Sequence, residues 1–324
     1  MESFADRIAV VTGGGTGMGR ELARKLAAAG AHVAMCDVSA ENMAETRRLC
    51  LIGSPDIRVT THLCDVSNET QVLGFRDEVM EQHDTGHVNL VFNNAGIGGG
   101  GEFVDGDRDE WERTFAVCWY GVYYSSRAFM PLLIASDEGV LVNTSSVNGF
   151  WASIGAGVPH TAYSAAKFAV KGFTEALITD LRLNAPHVKC AVVMPGHIGT
   201  SIGLNTSQVL GKGSALEMTD DAVADVRKRM LKRGLPVSNV PDEHLRHLMH
   251  QRAIDFRDKA PCSAEQAADI ILTGVREGRW RILVGDDAQA VDRIVREDPV
   301  SAYDDDFVQR LMAIGHFRGL MREE

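Results

Sequence analysis

Short apolar runs alternate along this chain with stretches in which apolar positions recur every three or four residues. Strand candidates are 7–12 (RIAVVT), 32–36, 57–64, 88–93, 140–145 and 188–194. Most are continuous in Val, Ile and Leu rather than alternating with polar residues, the pattern of strands covered on both faces. Helical patterns follow them, over 18–29, from Ala40, over 68 to about 82, and over 264–276, after which WRILVG supplies a further strand. Repeated strand–helix units predict an α/β fold of the Rossmann type: a doubly wound parallel sheet of about seven strands with helices on both faces.

The rhythm breaks between Ser201 and Pro261, where a small helical insert is expected. In TDDAVADVRKRMLKRG, Thr219 caps a helix with Asp220 and Asp221 in its first turn, basic residues in its last, and Gly234 as its stop. In VPDEHLRHLMHQRAIDF, Pro241 opens a second helix that gathers Leu245, Leu248, Met249 and Phe256 near one face. The division expected is a single domain over 1–324, an insert over 201–261 forming a substrate lobe, and a polar, acidic C-terminal extension over 286–324.

Charge and cysteine usage narrow the function classes. Of 324 residues, 33 are basic and 44 acidic, a formal net charge of −11. That balance argues against nucleic acid as a partner, because phosphate backbones need a basic face. The basic cluster 227–233 reads as a solvated helix end. Cys36, Cys50, Cys64, Cys118, Cys190 and Cys262 form no C-x-x-C pair and no zinc spacing, so they read as buried thiols in a reducing compartment and no metal is expected. With no signal-peptide pattern and no apolar run long enough to cross a bilayer, a soluble, cytoplasmic protein without a membrane partner is expected.

The glycine-rich stretch TGGGTGMG follows the first strand and opens the first helix. A turn without side chains lets backbone approach a ligand closely, and the helix start offers free N–H groups, so phosphate fits both features. The common G-x-G-x-x-G spacing is absent; the spacing present is T-G-x-x-x-G-x-G, through Thr12, Gly13, Gly17 and Gly19. A glycine cluster alone fits a flexible turn equally well. Asp37 tips the balance, because it ends the second strand twenty residues after Gly17, where an acid bonds the adenosine ribose hydroxyls and repels a 2′-phosphate. Val38 follows it and Thr16 fills another place where a base could hold that phosphate. NAD is therefore preferred over NADP.

Further on, TAYSAAKFAV puts Tyr163 and Lys167 four apart, on one helix face. Ser146 ends the fifth strand in LVNTSSVNG, at the sheet edge where open α/β folds gather ligands. With these residues the chain resembles a short-chain dehydrogenase/reductase of the single-domain, NAD-preferring branch, with an enlarged substrate lobe. TGGGTGMG, CDV at Asp65, NNAG at 93–96, SSVNG, YSAAK and MPGHIGT stand in the family's order across 7–200, and 263–285 fits its final helix and strand.

The resemblance implies the following roles. Gly13, Gly17, Met18 and Gly19 line the pyrophosphate turn, Asp37 holds the adenosine ribose, and Asp65 and Val66 meet the adenine. Asn94, Ala95 and Gly96 shape the next cofactor loop. Pro195, Gly196, Ile198 and Thr200 surround the nicotinamide. Tyr163 is the acid/base, Lys167 positions the nicotinamide ribose, and Ser146, with Ser145 its rival, holds the substrate oxygen. A phenol near pKa 10 is a poor base at neutral pH, so the Lys167 ammonium and the oxidised nicotinamide are expected to lower it. Cys118 stands where the family usually has asparagine; a tolerated substitution is favoured over an altered proton relay.

On the substrate side, Phe150 and Trp151 in NGFWASIGAGVPH, with the Met- and Leu-bearing insert, suggest a roomy apolar pocket under a lid. The alternative is that the two aromatics pack beneath the loop or at a subunit contact. His160 and His197 read as structural hydrogen-bonders. The implied activity is hydride transfer between NAD and a bulky hydrophobic secondary alcohol or ketone. The alternatives are an NADP-preferring carbonyl reductase and a non-catalytic dinucleotide-binding regulator. A homodimer or homotetramer is expected through the long helices near 111–134 and 160–183.

Overall fold

The computed structural model describes residues 1–54, 56–154, 158–304 and 306–313. Each strand–helix unit follows from the apolar pattern. β1 (Ile8–Thr12) leads into α1 (Gly17–Ala28), β2 (His32–Asp37) into α2 (Ala40–Ile52), and β3 (Val59–Leu63) into α3 (Glu69–His83). β4 (Leu90–Asn93) is followed by α4 (Arg108–Phe115), a five-residue π-helical turn (Ala116–Tyr120) and α5 (Gly121–Ile134). β5 (Gly139–Thr144), α6 (Thr161–Asn184) and β6 (Val188–Pro195) come next. A two-residue strand β7 (Ile198–Gly199) then pairs in parallel with β8 (Cys262–Ser263), and between them lie α7 (Ile202–Val209), α8 (Asp220–Lys232) and α9 (Asp242–Asp258). The chain continues through α10 (Ala264–Arg276), β9 (Arg281–Val284), α11 (Asp286–Glu297) and α12 (Phe307–Ala313).

The large sheet has seven strands in the order β3-β2-β1-β4-β5-β6-β9, every neighbouring pair parallel. Both faces are covered. Alternate residues of one strand serve opposite layers: Ala9 and Val11 pack with Leu22 and Leu26 of α1 and Ile271 of α10, while Ile8 and Val10 pack with Phe75 of α3 and Phe129 of α5. Strand order reverses between β1 and its two neighbours, β2 and β4, which places the ligand crevice at their carboxyl ends.

The expected elements are present, with small shifts: β3 begins at Val59 and Pro241 stands just before α9 rather than inside it. Thr219 caps α8 as expected, its hydroxyl accepting from Ala222 N. The six cysteines are free and buried, and among the described residues no helix is long and apolar enough to cross a membrane. The C-terminal extension differs from the polar tail expected: Val291, Val295, Phe307, Val308 and Leu311 bury themselves against Trp151 in a small core of their own. Charged residues between them hide that face in a composition count. The last part of the extension, 314–324, lies outside the described residues.

His83 ends α3 against β3, with Nε2 2.9 Å from Thr60 Oγ1. Burial, with the nearby Arg58, His32 and His62, pushes its pKa down from 6.5 to about 4. Between those values the unfolded chain binds a proton that the folded chain refuses, so stability is lost as pH falls through that window. Denaturant titrations at pH 7 and pH 5 are expected to show a smaller acid loss in His83→Gln, which keeps a polar partner for Thr60 and cannot take up the proton.

Candidate active site

The glycine turn closes on itself only because it is bare. Gly13 and Gly17 hold φ of 67° and 54°, a region open chiefly to glycine. A Cβ on Gly19 would stand 2.0 Å from the Gly13 carbonyl oxygen. Asn94 fastens the turn from the next loop, its Nδ2 donating to the Thr12 and Gly13 carbonyls at 3.2 and 3.4 Å. Thr12 answers by accepting the Asn94 and Ala95 N–H groups at its Oγ1, at 3.0 and 3.1 Å. α2, α3 and α10 are capped by the side chains of Ser39, Asn68 and Ser263, whereas Thr16 makes no such bond to α1. The first N–H groups of α1 are thus left to a ligand, and the start of that helix favours an anion.

Asp37 is aimed by two backbone donors: Oδ2 accepts Gly15 N at 3.0 Å and Oδ1 accepts Ser39 N at 3.1 Å. The nearby Arg20 is committed below the turn, donating to the Gly15 carbonyl at 2.5 and 3.0 Å and to Thr46 Oγ1 at 3.0 Å. Asp65 accepts Ser67 N and Oγ and pairs with Arg113 Nη2 at 2.7 Å. Burial alone would push this carboxyl up; the Arg113 and Ser67 donors outweigh it and hold it below its ordinary value.

A cavity of about 470 Å³ joins these groups and is lined by Gly13, Gly17, Met18, Asp37, Asp65, Val66, Asn94, Ala95, Gly96 and Thr200. Gly19, Pro195, Gly196 and Ile198 are outside its wall, and the Ile198 side chain is buried in the sheet's core. Asn205 of α7 reaches across and donates to Thr16 Oγ1 at 2.8 Å, while Thr206 Oγ1 accepts Gly98 N at 2.8 Å, so α7 roofs the cavity. The motifs single out neither Asn205 nor Arg113. The acid in CDV was a signal for a basic partner, but nothing local to the sequence says that α4 supplies it.

Lys167 approaches this cavity across Gly96, where an added Cβ would lie 3.6 Å from its Nζ; Ser146, Tyr163 and Lys167 themselves stand outside the cavity wall. Lys167 Nζ stands 5.3 Å from the centre of the Tyr163 ring, and the Ser146 side chain is near enough to the phenol to act on its ionisation. Lys167 is buried and donates to the Thr144 carbonyl at 2.8 Å. Ser145 is otherwise occupied, its Oγ donating to the Lys167 carbonyl at 2.7 Å. The geometry therefore separates the two serines in favour of Ser146.

Electrostatics differ from expectation at the phenol. Burial pushes the Tyr163 pKa above its ordinary value, Cys118 adds to the rise, and the Ser146 hydrogen bond only partly opposes it. Burial also lowers Lys167. Cys118 sits in the π-helical turn and donates Sγ–H to the Ile97 carbonyl at 3.1 Å. His197 is structural, Nε2 lying 2.7 Å from the Phe256 carbonyl. His160 stacks on Tyr163, ring centres 4.7 Å apart, and burial holds its pKa down at about 4.

Of the apolar pocket expected from Phe150, Trp151 and the insert, only α7 of the insert, with Ile202 and Val209, reaches the cavity wall; the two aromatics and the Met- and Leu-bearing helices do not. Trp151 is 1% exposed and packs against the extension. Val223, Val226, Met230 and Leu245 of the insert bury one another where α8 meets α9, and Leu248 turns outward. Residues 155–157 of the long stretch after Phe150 lie outside the described residues.

The short chain dehydrogenase profile matches residues 7–209, and the chain belongs to that family. It is 34% identical over 299 residues to SadH of Mycobacterium tuberculosis, covering 91% of this chain and 92% of that one. It is 32% identical over 213 residues to levodione reductase of Leifsonia aquatica, covering 64% of this chain and 75% of the reductase. Among solved structures it resembles a short-chain dehydrogenase/reductase from Burkholderia phymatum in complex with NAD, with a TM-score of 0.72, 29% identity, and coverage of 92% of this chain and 96% of that one.

Gly19→Ala tests the glycine turn. The added methyl meets the Gly13 carbonyl well inside contact distance, so the turn must open. Dinucleotide affinity, read by fluorescence titration, is expected to fall at least about tenfold, the cost of a single displaced phosphate contact being of that order, while far-UV circular dichroism keeps the native spectrum.

Proposed function

We propose that this protein is an NAD-dependent oxidoreductase that moves a hydride between the cofactor and a secondary alcohol or ketone. The observation that carries the reading is the buried Lys167, whose Nζ stands 5.3 Å from the Tyr163 ring and lies behind Gly96 of the cavity wall, with Ser146 acting on the same phenol. The cavity suits a dinucleotide: its bare turn leaves room for pyrophosphate, α1 offers uncapped N–H groups, and Asp37 presents a carboxylate for ribose hydroxyls. Asp37 also supports NAD over NADP, because a 2′-phosphate there would meet a carboxylate with Arg20 tied down below.

The nicotinamide, when bound, gives or accepts the hydride. Ser146 Oγ donates to the substrate oxygen and holds it against Tyr163 Oη as charge develops there. Tyr163, kept protonated by burial, hands its proton to that oxygen in reduction; in oxidation its phenolate takes the proton from the alcohol. Lys167 keeps a positive charge near that phenolate and positions the nicotinamide ribose. A hydrophobic, bulky substrate is supported by the apolar Ile97, Val117, Ile202 and Val209 at the cavity wall, and by similarity to a reductase of levodione.

Mixing the protein with NAD and a panel of cyclic and benzylic alcohols is expected to raise NADH absorbance, with NADP giving a weaker signal. Tyr163→Phe is expected to cut turnover by about 10²- to 10⁴-fold, the usual worth of a placed acid/base. Because the phenol pKa is raised, oxidation climbs with pH through the neutral range while ketone reduction stays level until the phenol ionises. Turnover confined to short polyols or sugars defeats the substrate class, and full activity in Tyr163→Phe defeats the mechanism.

The reading includes a homodimer or homotetramer. Its support is a cluster of half-buried rings, Trp119, Tyr123 and Phe173, joining the π-helical turn, α5 and α6, with Tyr120 and Phe168 exposed on the same elements. Light scattering is expected to give a multiple of 35.2 kDa, and Tyr120→Glu is expected to lower it.

A further inference from the structure

The C-terminal extension is anchored at the sheet edge and reaches the active site at two points. Arg281 of β9 pairs with Asp292 of α11, Nη1 to Oδ2 at 3.0 Å, with both side chains largely buried. From this anchor the first reach runs to the segment that follows Ser146. Trp151 Nε1 donates to the Ala302 carbonyl at 2.7 Å, the Trp151 ring lies 5.2 Å from that of Phe307, and Ala152 N donates to the Tyr303 hydroxyl at 3.0 Å. The second reach runs to the loop after β6. Asp287, 4% exposed, accepts His197 N at Oδ2 over 2.6 Å, and its carboxylate lies so close to Gly196 that a Cβ there would stand 2.3 Å from both oxygens.

The segment after Ser146 is fastened from within and from outside. Among the described residues, Gly149 N donates to the Ser146 carbonyl, Phe150 and Trp151 N donate to that of Val147, and Asn148 Nδ2 donates to the Trp151 and Ser153 carbonyls at 3.0 and 2.7 Å. The extension adds the bonds at Trp151 Nε1 and Ala152 N. The loop after β6 is likewise held from outside, its His197 N–H satisfied by a side chain of α11.

We propose that the extension formed by α11, the turn at Ser301–Tyr303 and α12 is a positioning element, which fastens 147–154 and 196–197 on either side of the reacting centre and so holds Ser146 in register with Tyr163. The inference rests on the roles proposed above for Ser146 and Tyr163. It separates two contributions that a folded chain would otherwise confound. The glycine turn and Asp37 belong to β1 and β2, across the sheet from the extension, so loosening its hold on 147–154, with the bond from Asp287 to His197 kept, leaves dinucleotide affinity alone. What changes is the fraction of molecules in which the substrate oxygen finds Ser146 and Tyr163 together.

The test uses Tyr303→Phe, which removes one hydroxyl from a side chain 58% exposed and so leaves folding undisturbed, and Trp151→Phe, which removes the indole donor. Hydrogen exchange read by mass spectrometry on the full chain gives a result that does not depend on turnover; steady-state kinetics and NADH titration give the rest. In Tyr303→Phe, amides of 147–154 are expected to exchange faster, and substrate KM to rise about three- to tenfold, the worth of one such hydrogen bond. kcat is expected to change less, and NADH affinity not at all. Trp151→Phe is expected to act in the same direction and further. Unchanged exchange in 147–154 overturns the proposal, as does faster exchange with unaltered KM, or a KM effect matched by an equal loss of NADH affinity. If the wild-type chain turns over none of the panel, the functional reading fails, and exchange alone decides whether the extension fastens the loop.

Discussion

The site depends on an ammonium group held out of water. Lys167 is nearly fully buried and its Nζ donates to the carbonyl of Thr144; a charge in that setting is tolerable only with close, fixed acceptors. The bond is one of three that sew α6 to the end of β5. Ser145 Oγ returns a bond to the Lys167 carbonyl, and lower down Asn143 Nδ2 donates to Thr174 Oγ1, while Asn93 donates to Asn143 Oδ1. Tyr163 stands one turn before Lys167 and inherits its position from this seam. Tyr163 is thus located relative to β5 by buried polar bonds, which tolerate little sliding, whereas Ser146 lies one residue beyond the last of them.

Burial sets the chemistry as well as the geometry. The same dry surroundings that fix Lys167 raise the Tyr163 phenol and lower the His160 imidazole beside it. The protein thereby sets a neutral phenol beside a neutral imidazole, with the Lys167 side chain one turn away. The lowering expected from sequence takes the Lys167 ammonium and an oxidised nicotinamide as its causes, and burial acts against both. Desolvation is invisible in a four-residue spacing, and here it dominates.

The legible parts of the sequence were those governed by local rules. Continuous apolar runs exposed the sheet, capping residues such as Thr219 and Ser263 fixed helix starts, and the bare turn with Asp37 marked the crevice. Ser146 could be ranked over Ser145 by register, and the structure supplies the reason, since Ser145 is spent on a backbone carbonyl. What stayed hidden depends on partners distant in the chain. Trp151 reads as a pocket aromatic until the extension some 150 residues later is seen to cover it, and the insert's Met and Leu residues read as pocket lining until α8 meets α9. Arg113 and Asn205 carry no motif, yet they complete the two ends of the cavity. An apolar side chain announces that it will be buried, not against what.

The π-helical turn at Ala116–Tyr120 holds one residue more than an α-helical turn would. Its effect is that of an insertion inside what would otherwise be one long rod. On the amino side, α4 is phased to send Arg113 toward Asp65; on the carboxyl side, α5 is phased to bury Ala128, Phe129 and Leu132 beneath the sheet. A continuous α-helix would tie these two phases together, and a change that improved one would rotate the other out of place. The wider turn decouples them, so the Asp65 end of the cavity and the face of α5 packed on the sheet can drift independently in sequence.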